Sequence, residues 1–98
     1  MGKGQSSAQI VRTGKALSHP LRIDILEAVG GGDLSPVNFH RSTGTALGNC
    51  AYHFKSLRKL GALSVADQVQ RRGAMENRYV ATPEGKALQR LIGDLRAG

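Results

Sequence analysis

A mainly helical α+β domain, with about five helices and one small β-hairpin of two to three strands, is what this 98-residue sequence predicts. Three observations predict it. Apolar residues recur at helical spacing in five segments, each opened or closed by a capping or breaking residue. Over residues 63–81 the period drops to two on both sides of a charged, glycine-containing tip. The run Gly30-Gly31-Gly32 and the single glycines Gly44 and Gly61 fall between helical segments, where a chain must stop or turn.

The chain begins with MGKGQSS, a small and polar stretch, so residues 1–5 are expected to be a flexible start to a single domain spanning 6–98. Ser6 or Ser7 can cap a first helix over 6–17, whose inner side carries Ile10, Val11, Gly14 and Leu17. Gly14 lowers helix propensity by about 1 kcal/mol, which close packing against a neighbour would explain. Ser18-His19-Pro20 ends that helix and starts the next, with Pro20 suited to the first turn. Leu21, Ile25, Leu26, Ala28 and Val29 form its apolar arc. Arg22 falls inside the arc, either as a structural arginine that pairs with an acid or snorkels outward, or as a phosphate contact.

The triple glycine reads as a helix stop and not as a phosphate loop, because no Lys-Ser/Thr follows it and no strand precedes it. Leu34 is a candidate for one further strand residue. Ser35-Pro36 opens a short third helix with Val37, Phe39 and His40, and Thr43-Gly44 turns the chain. A longer helix follows over 45–60, with Thr45 as the expected N-cap and Gly61 as its left-handed terminus. It has two unlike sides. Leu47, Cys50, Phe54 and Leu57 cluster on one, and Gly48, Asn49, Tyr52, Lys55, Ser56 and Lys59 on the other. The hairpin carries its tip in residues 70–77, and Thr82-Pro83-Glu84 starts a last helix over 83–96 with Leu88, Leu91, Ile92 and Leu95 along one side.

Composition narrows the partners. Fourteen Lys and Arg against seven Asp and Glu give a net charge of +7, which points to an anionic partner, nucleic acid first. Residues 34–66 contain no acid, while Arg41, Lys55, Arg58 and Lys59 lie within them. One cysteine excludes an intramolecular disulfide and a multi-thiolate metal site; Cys50 reads as a small buried hydrophobe, with a redox switch the alternative. His19, His40 and His53 show no metal-ligand spacing, and no cofactor motif is present. No Ser-His-Asp pattern, paired carboxylate or Gly-Lys-Ser loop occurs, so no enzymic activity is expected. No apolar run approaches the ~18 residues of a membrane span and no signal peptide is visible, so a cytoplasmic, nucleoid-associated protein is expected.

A short helix, a tight turn at Gly44 and a longer helix are the outline of a helix-turn-helix, and a β-hairpin behind it is the wing of a winged helix-turn-helix. The segments ALSHPLRIDILEAV, LSPVNFHRSTG, ALGNCAYHFKSLRKLGAL and RRGAMENRYVATPEG resemble the ArsR-type winged helix-turn-helix transcriptional regulators, in particular small actinobacterial members. The sharpest pieces are His19-Pro20-Leu21-Arg22, the Tyr52-His53-Phe54-Lys55-x-Leu57 core and Arg71-Arg72-Gly73-Ala74-x-Glu76; Thr82-Pro83-Glu84-Gly85 is shared with MarR- and PadR-like winged domains. The resemblance implies a homodimer on double-stranded DNA, the long helix in the major groove and the wing on the backbone or adjacent minor groove. It implies groove-facing or supporting roles for Leu47, Gly48, Asn49, Tyr52 and His53. Two departures stand out. The Cys-x-Cys signature of the metal sensors is replaced by SPVNFHRS, so metal sensing does not carry over through that site. Asn38 and Thr43 stand where relatives usually carry Glu and Leu, so the third helix is expected to be less well packed and capped.

Helical periodicity turns Leu47 inward and sets His53 at the flank, leaving Asn49, Tyr52 and Ser56 as candidates for base edges. Gly48 admits close approach, and Thr45 lies at the helix start. Arg41, Lys55, Lys59, Arg71 and Arg72 are candidates for phosphate contacts. Ile10, Val11, Leu17, Leu88, Leu91, Ile92 and Leu95 line the two terminal helices, which are expected to form a dimer interface, or else to pack on each other within one chain. A winged domain that meets an acidic protein, or RNA, with the same basic face is the alternative. No motif names a small-molecule effector.

Overall fold

A computed structural model of the chain describes residues 5–98; apart from Gln5, the flexible start expected over 1–5 lies outside the described residues. The elements run α1 (Ser7–Ala16), α2 (Pro20–Val29), α3 (Pro36–Thr43), α4 (Leu47–Lys59), β1 (Leu63–Arg71), β2 (Ala74–Ala81) and α5 (Pro83–Ala97). Five helices and one antiparallel hairpin make a winged helix-turn-helix, the fold class expected from the sequence.

Local chemistry accounts for most boundaries. Ser6, Ser35 and Thr82 each accept a backbone N–H of the first turn, and Ser6 forms a full capping box with Gln9. His19 caps α2 through its ring, with Nδ1 accepting the Leu21 N–H at 3.0 Å. Pro20, Pro36 and Pro83 occupy first-turn positions, where no N–H is missed. The third helix has one N-terminal cap bond, Ser35 Oγ accepting the Asn38 N–H at 3.1 Å, and Asn38 returns none to complete a capping box. Thr43 closes its other end by donating to the Phe39 carbonyl at 2.7 Å. Gly44 then takes a left-handed φ of 75°, which turns the chain toward α4.

Two local expectations are corrected. The N-cap of α4 is Ala46 and not Thr45, and it makes no side-chain cap bond. Thr45 is drawn instead into the turn: its N–H donates to Thr43 Oγ1, and its carbonyl accepts from His40 Nδ1 at 2.6 Å. Gly14 meets nothing within 4 Å where a side chain would stand, so close packing does not explain it. The glycine that does carry a close approach is Gly85, where any Cβ would strike the Ala62 carbonyl oxygen. That contact seats the start of α5 against the turn that leaves α4.

The core is built of Ile25, Leu26, Val29, Phe39, Cys50, Phe54, Leu57, Ala62, Leu63, Tyr79, Leu88 and Ile92, with Ala16 at its edge. Phe54 is its centre, edge-on to Phe39 at 6.0 Å and tilted against Tyr79 at 5.1 Å between ring centroids. Leu34 pairs with Tyr79 as an isolated bridge, which ties the segment before α3 to the hairpin. α5 lies on α2, held by Gln89 Nε2 donating to the Leu26 carbonyl at 2.8 Å and by a two-bond Arg96–Glu27 ion pair at 2.6 and 2.9 Å. Leu88 and Ile92 are therefore buried within the chain by α5 packing on α2, and are corrected from the expected dimer contacts to core residues. α1 has no comparable packing on any other element, and Ile10 stays 59% exposed and Leu95 69%.

The hairpin register pairs Leu63 with Ala81 and Val65 with Tyr79, then slips by one residue between Val65 and Asp67. This bulge re-aims the outer half of the wing, so that the inner half packs on the core while residues 70–75 stand in solvent. Arg72 and Gly73, at φ 39° and 84°, close a two-residue tip of the kind that matches strand twist.

Candidate nucleic-acid interface

The interface is assembled by α4, the turn before it and the outer wing. Cys50, Phe54 and Leu57 are fully buried and hold one side of α4 to the core. On the opposite side Gly48, Asn49, Lys55 and Lys59 are exposed, and Tyr52 is 62% exposed. Open space surrounds Gly48, so an incoming surface could approach the backbone there. Arg41 on α3 is exposed beside α4, and Arg71 and Arg72 are exposed at the wing tip. No ion pair among the described residues involves Lys55, Lys59, Arg41 or Arg72. Lys55, Lys59 and Arg72 thus stand uncommitted to any carboxylate ion pair, as does Arg41, which lies within the field of Glu76.

Several expected site residues sit differently. Ser56 and Thr45 are half-buried, so neither is on the open face. Leu47, expected inward, is 42% exposed at the first position of α4. His53, expected at the flank of the reading surface, is buried and corrected to a supporting residue. Its Nδ1 accepts from Arg22 Nε at 3.1 Å; a guanidinium can only donate, so the imidazole is neutral with its proton on Nε2. Arg22 also donates to the Lys15 carbonyl at 2.8 Å, at the end of α1. The arginine in the apolar arc of α2 therefore finds an imidazole and a carbonyl, not an acid, and it connects α1 to α4.

His53 is crowded by the Arg22 guanidinium and two rings. Its ring centroid lies 4.5 Å from that of His19, and the Tyr52 ring meets it edge-on at 5.1 Å. Burial, with His19 and Arg22 beside it, holds the His53 pKa below its ordinary 6.5. The unfolded chain then binds this proton more readily than the folded one, so the stabilisation is complete above the unfolded pKa and is lost as pH falls through the folded one. Thermal melting followed from about pH 7.5 to about pH 5 should show falling stability, and His53→Gln should flatten that dependence. An unchanged slope in His53→Gln would assign the acid sensitivity to other groups.

Cys50 donates its thiol to the Thr45 carbonyl at 3.6 Å, and burial pushes its pKa up. A protonated, enclosed thiol is a poor nucleophile, which favours the packing role over the redox alternative. Among the described residues no three His, Cys, Asp or Glu side chains come together as a metal site, and no helix is long and apolar enough to cross a membrane. Sequence reasoning placed Glu76 in a motif but gave it no role; in the structure it forms an ion pair with Arg71 at 3.1 Å. The signal for it was a lone acid between Arg71-Arg72 and Arg78, on a strand where alternate residues share a face.

The structure thus presents an exposed basic helix face with a basic hairpin beside it, on a winged helix-turn-helix. The solved structures this chain is similar to share that fold. HlyU from Vibrio cholerae matches over 100% of both chains at 22% identity with a TM-score of 0.73. A homodimeric winged helix-turn-helix DNA-binding domain from Mycobacterium bovis, described as a possible ArsR-family transcriptional regulator, matches at 24% identity and a TM-score of 0.68, over 96% of this chain and 86% of that one. An ArsR family transcriptional regulator matches at 15% identity and a TM-score of 0.65, over 96% of this chain and 93% of that one. The chain thus shares the winged helix-turn-helix fold of these structures. No family model and no curated relative matches it in sequence.

Proposed function

We propose that the chain is a sequence-specific transcriptional regulator that binds double-stranded DNA as a homodimer, with α4 in the major groove and the wing on the backbone or adjacent minor groove. The observation that carries this reading is the division of α4 into a fully buried side and an open side bearing Asn49, Tyr52, Lys55 and Lys59. The similarity to a domain described as homodimeric and DNA-binding supports it. In this reading Asn49 offers its amide to adenine, a bidentate pair being worth about 1–3 kcal/mol of discrimination. Tyr52 offers its ring to a thymine methyl or its hydroxyl to a phosphate. Arg41, Lys55, Lys59, Arg71 and Arg72 meet phosphates, which set affinity and register. Such a protein needs no catalytic group and works in the cytoplasm, on the nucleoid.

The dimer contacts of this reading are Ile10, Val11 and Leu17 of the α1 segment with Leu91 and Leu95 of α5, the apolar residues that the core leaves wholly or partly uncovered. A cleft of about 400 Å³ between α1, the end of α4 and α5, lined by Ile10, Ala16, Leu60, Ala62, Ala87 and Leu91, has room for a few apolar side chains of a second copy. Selection of bound sequences from random duplex DNA, followed by footprinting, tests the proposal. It should return a pseudo-palindrome with half-sites about 34 Å apart. Leu91→Glu with Leu95→Glu should give monomers by light scattering and lose the symmetric footprint. No retention of any duplex at ~100 mM salt would overturn the reading in favour of a protein-binding module.

A further inference from the structure

One carboxylate stands inside the basic face. Glu76, on β2 opposite Val69, has a side chain only 11% exposed, against 62% for Arg71. Its Oε1 lies 3.1 Å from Arg71 Nε. The Ser35 hydroxyl, and after it the charges of Arg71, Arg78 and Arg41, hold its pKa below the usual carboxylate range. With so little of it exposed, the Glu76 side chain is held against the body of the domain before it reaches the wing-tip arginine. Arg78 is already committed to Asp33, with two bonds of 3.2 and 3.3 Å. Arg71 has no acid partner but Glu76 among the described residues.

For a surface that attracts phosphate by charge alone, this acid is a loss, since every negative group subtracts from the field. Its placement suits a different task. A long arginine at a loop tip samples many rotamers, and ordering it on binding opposes affinity. A carboxylate fixed to the body and paired with its Nε removes part of that disorder beforehand, while most of the side chain stays exposed.

We propose that Glu76 is a positioning residue for DNA binding, which holds the Arg71 guanidinium in the pose that meets the phosphate backbone. The proposal rests on the DNA-binding reading above and adds a residue to it. The test sets charge against geometry. Glu76→Gln raises the net charge by one per subunit, so electrostatics alone requires tighter binding to the selected duplex. Positioning requires the reverse, a loss of roughly tenfold at fixed salt, as for one charge-assisted contact. In an Arg71→Ala background the same Glu76→Gln change should alter affinity less than about twofold, because the partner it acts through is gone. Glu76→Asp keeps the charge and withdraws the carboxylate by one methylene, so it should also weaken binding; this variant carries the test if Glu76→Gln fails to fold.

Equal or tighter binding by Glu76→Gln overturns the proposal, as does an undiminished loss in the Arg71→Ala background, which would place the effect in the fold. Should Glu76→Gln not fold, wild-type affinity in Glu76→Asp overturns it equally. If the wild-type protein binds no duplex at all, the DNA reading falls and this proposal falls with it. Wild-type binding with an indifferent Glu76 removes this proposal alone.

Discussion

Lys55→Ala combined with Lys59→Ala is expected to lower affinity for duplex DNA by roughly hundredfold at ~100 mM salt and to flatten the salt dependence. The two lysines lie one helical turn apart on the open side of α4, exposed and outside any ion pair among the described residues. Each phosphate contact contributes about 0.9 to the slope of log affinity against log salt, so two lysines in each of two subunits remove about 3.6. The loss should fall on all duplexes alike, because phosphates carry no base identity. Neither side chain is buried, so melting should shift by no more than a surface substitution allows, within about 0.5 kcal/mol. Titration of labelled duplex at several salt concentrations measures both quantities. An unchanged affinity and slope in a folded double variant would remove α4 from the interface.

Phe54→Ala is the second large effect, and it concerns the fold that aims α4. Phe54 is fully buried and sits between Phe39 of α3 and Tyr79 of β2, so one ring joins the turn helix, the long helix and the wing. Truncating a buried phenylalanine removes about 3–5 kcal/mol. Against a total stability of about 5–15 kcal/mol, that is a large share. For a domain of this size the melting temperature should drop by at least about 12 °C. Tyr52→Ala, two residues earlier but 62% exposed, should melt within a few degrees of wild type while binding DNA more weakly. If Phe54→Ala melted like wild type, the core would have a different centre.

What was legible in the sequence was short-range. Ser35-Pro36 and Thr82-Pro83-Glu84 announce their helices because a cap and its bonded N–H lie within three residues of each other. Gly44 and Gly61 announce turns because both take a positive φ that other residues resist. The period-two pattern found the hairpin. What was not legible depended on partners far along the chain. Thr45 looks like a cap until His40 takes up its carbonyl. Leu88 and Ile92 share a stripe with Leu91 and Leu95, and only the seating of α5 on α2 separates the buried pair from the exposed one. Arg22 and His53 are 31 residues apart, and no periodicity relates them. The site divides in the same way: the exposed cations on α4 followed from spacing, while the ion pair at Glu76 needed the register of the folded wing.

The Arg22 bridge has a thermodynamic consequence. One guanidinium holds both the Lys15 carbonyl at the end of α1 and the His53 ring on α4. Under the proposed function, α1 belongs to subunit assembly and α4 to DNA reading, so a displacement of either strains a bond that the other shares. Coupling of this kind is reciprocal: whatever free energy assembly lends to the orientation of α4, a bound duplex must return to the association of the subunits. An operator would then act as a ligand for the dimer itself, drawing dilute monomers together, and the sharpness of the response to protein concentration would be set by a single arginine.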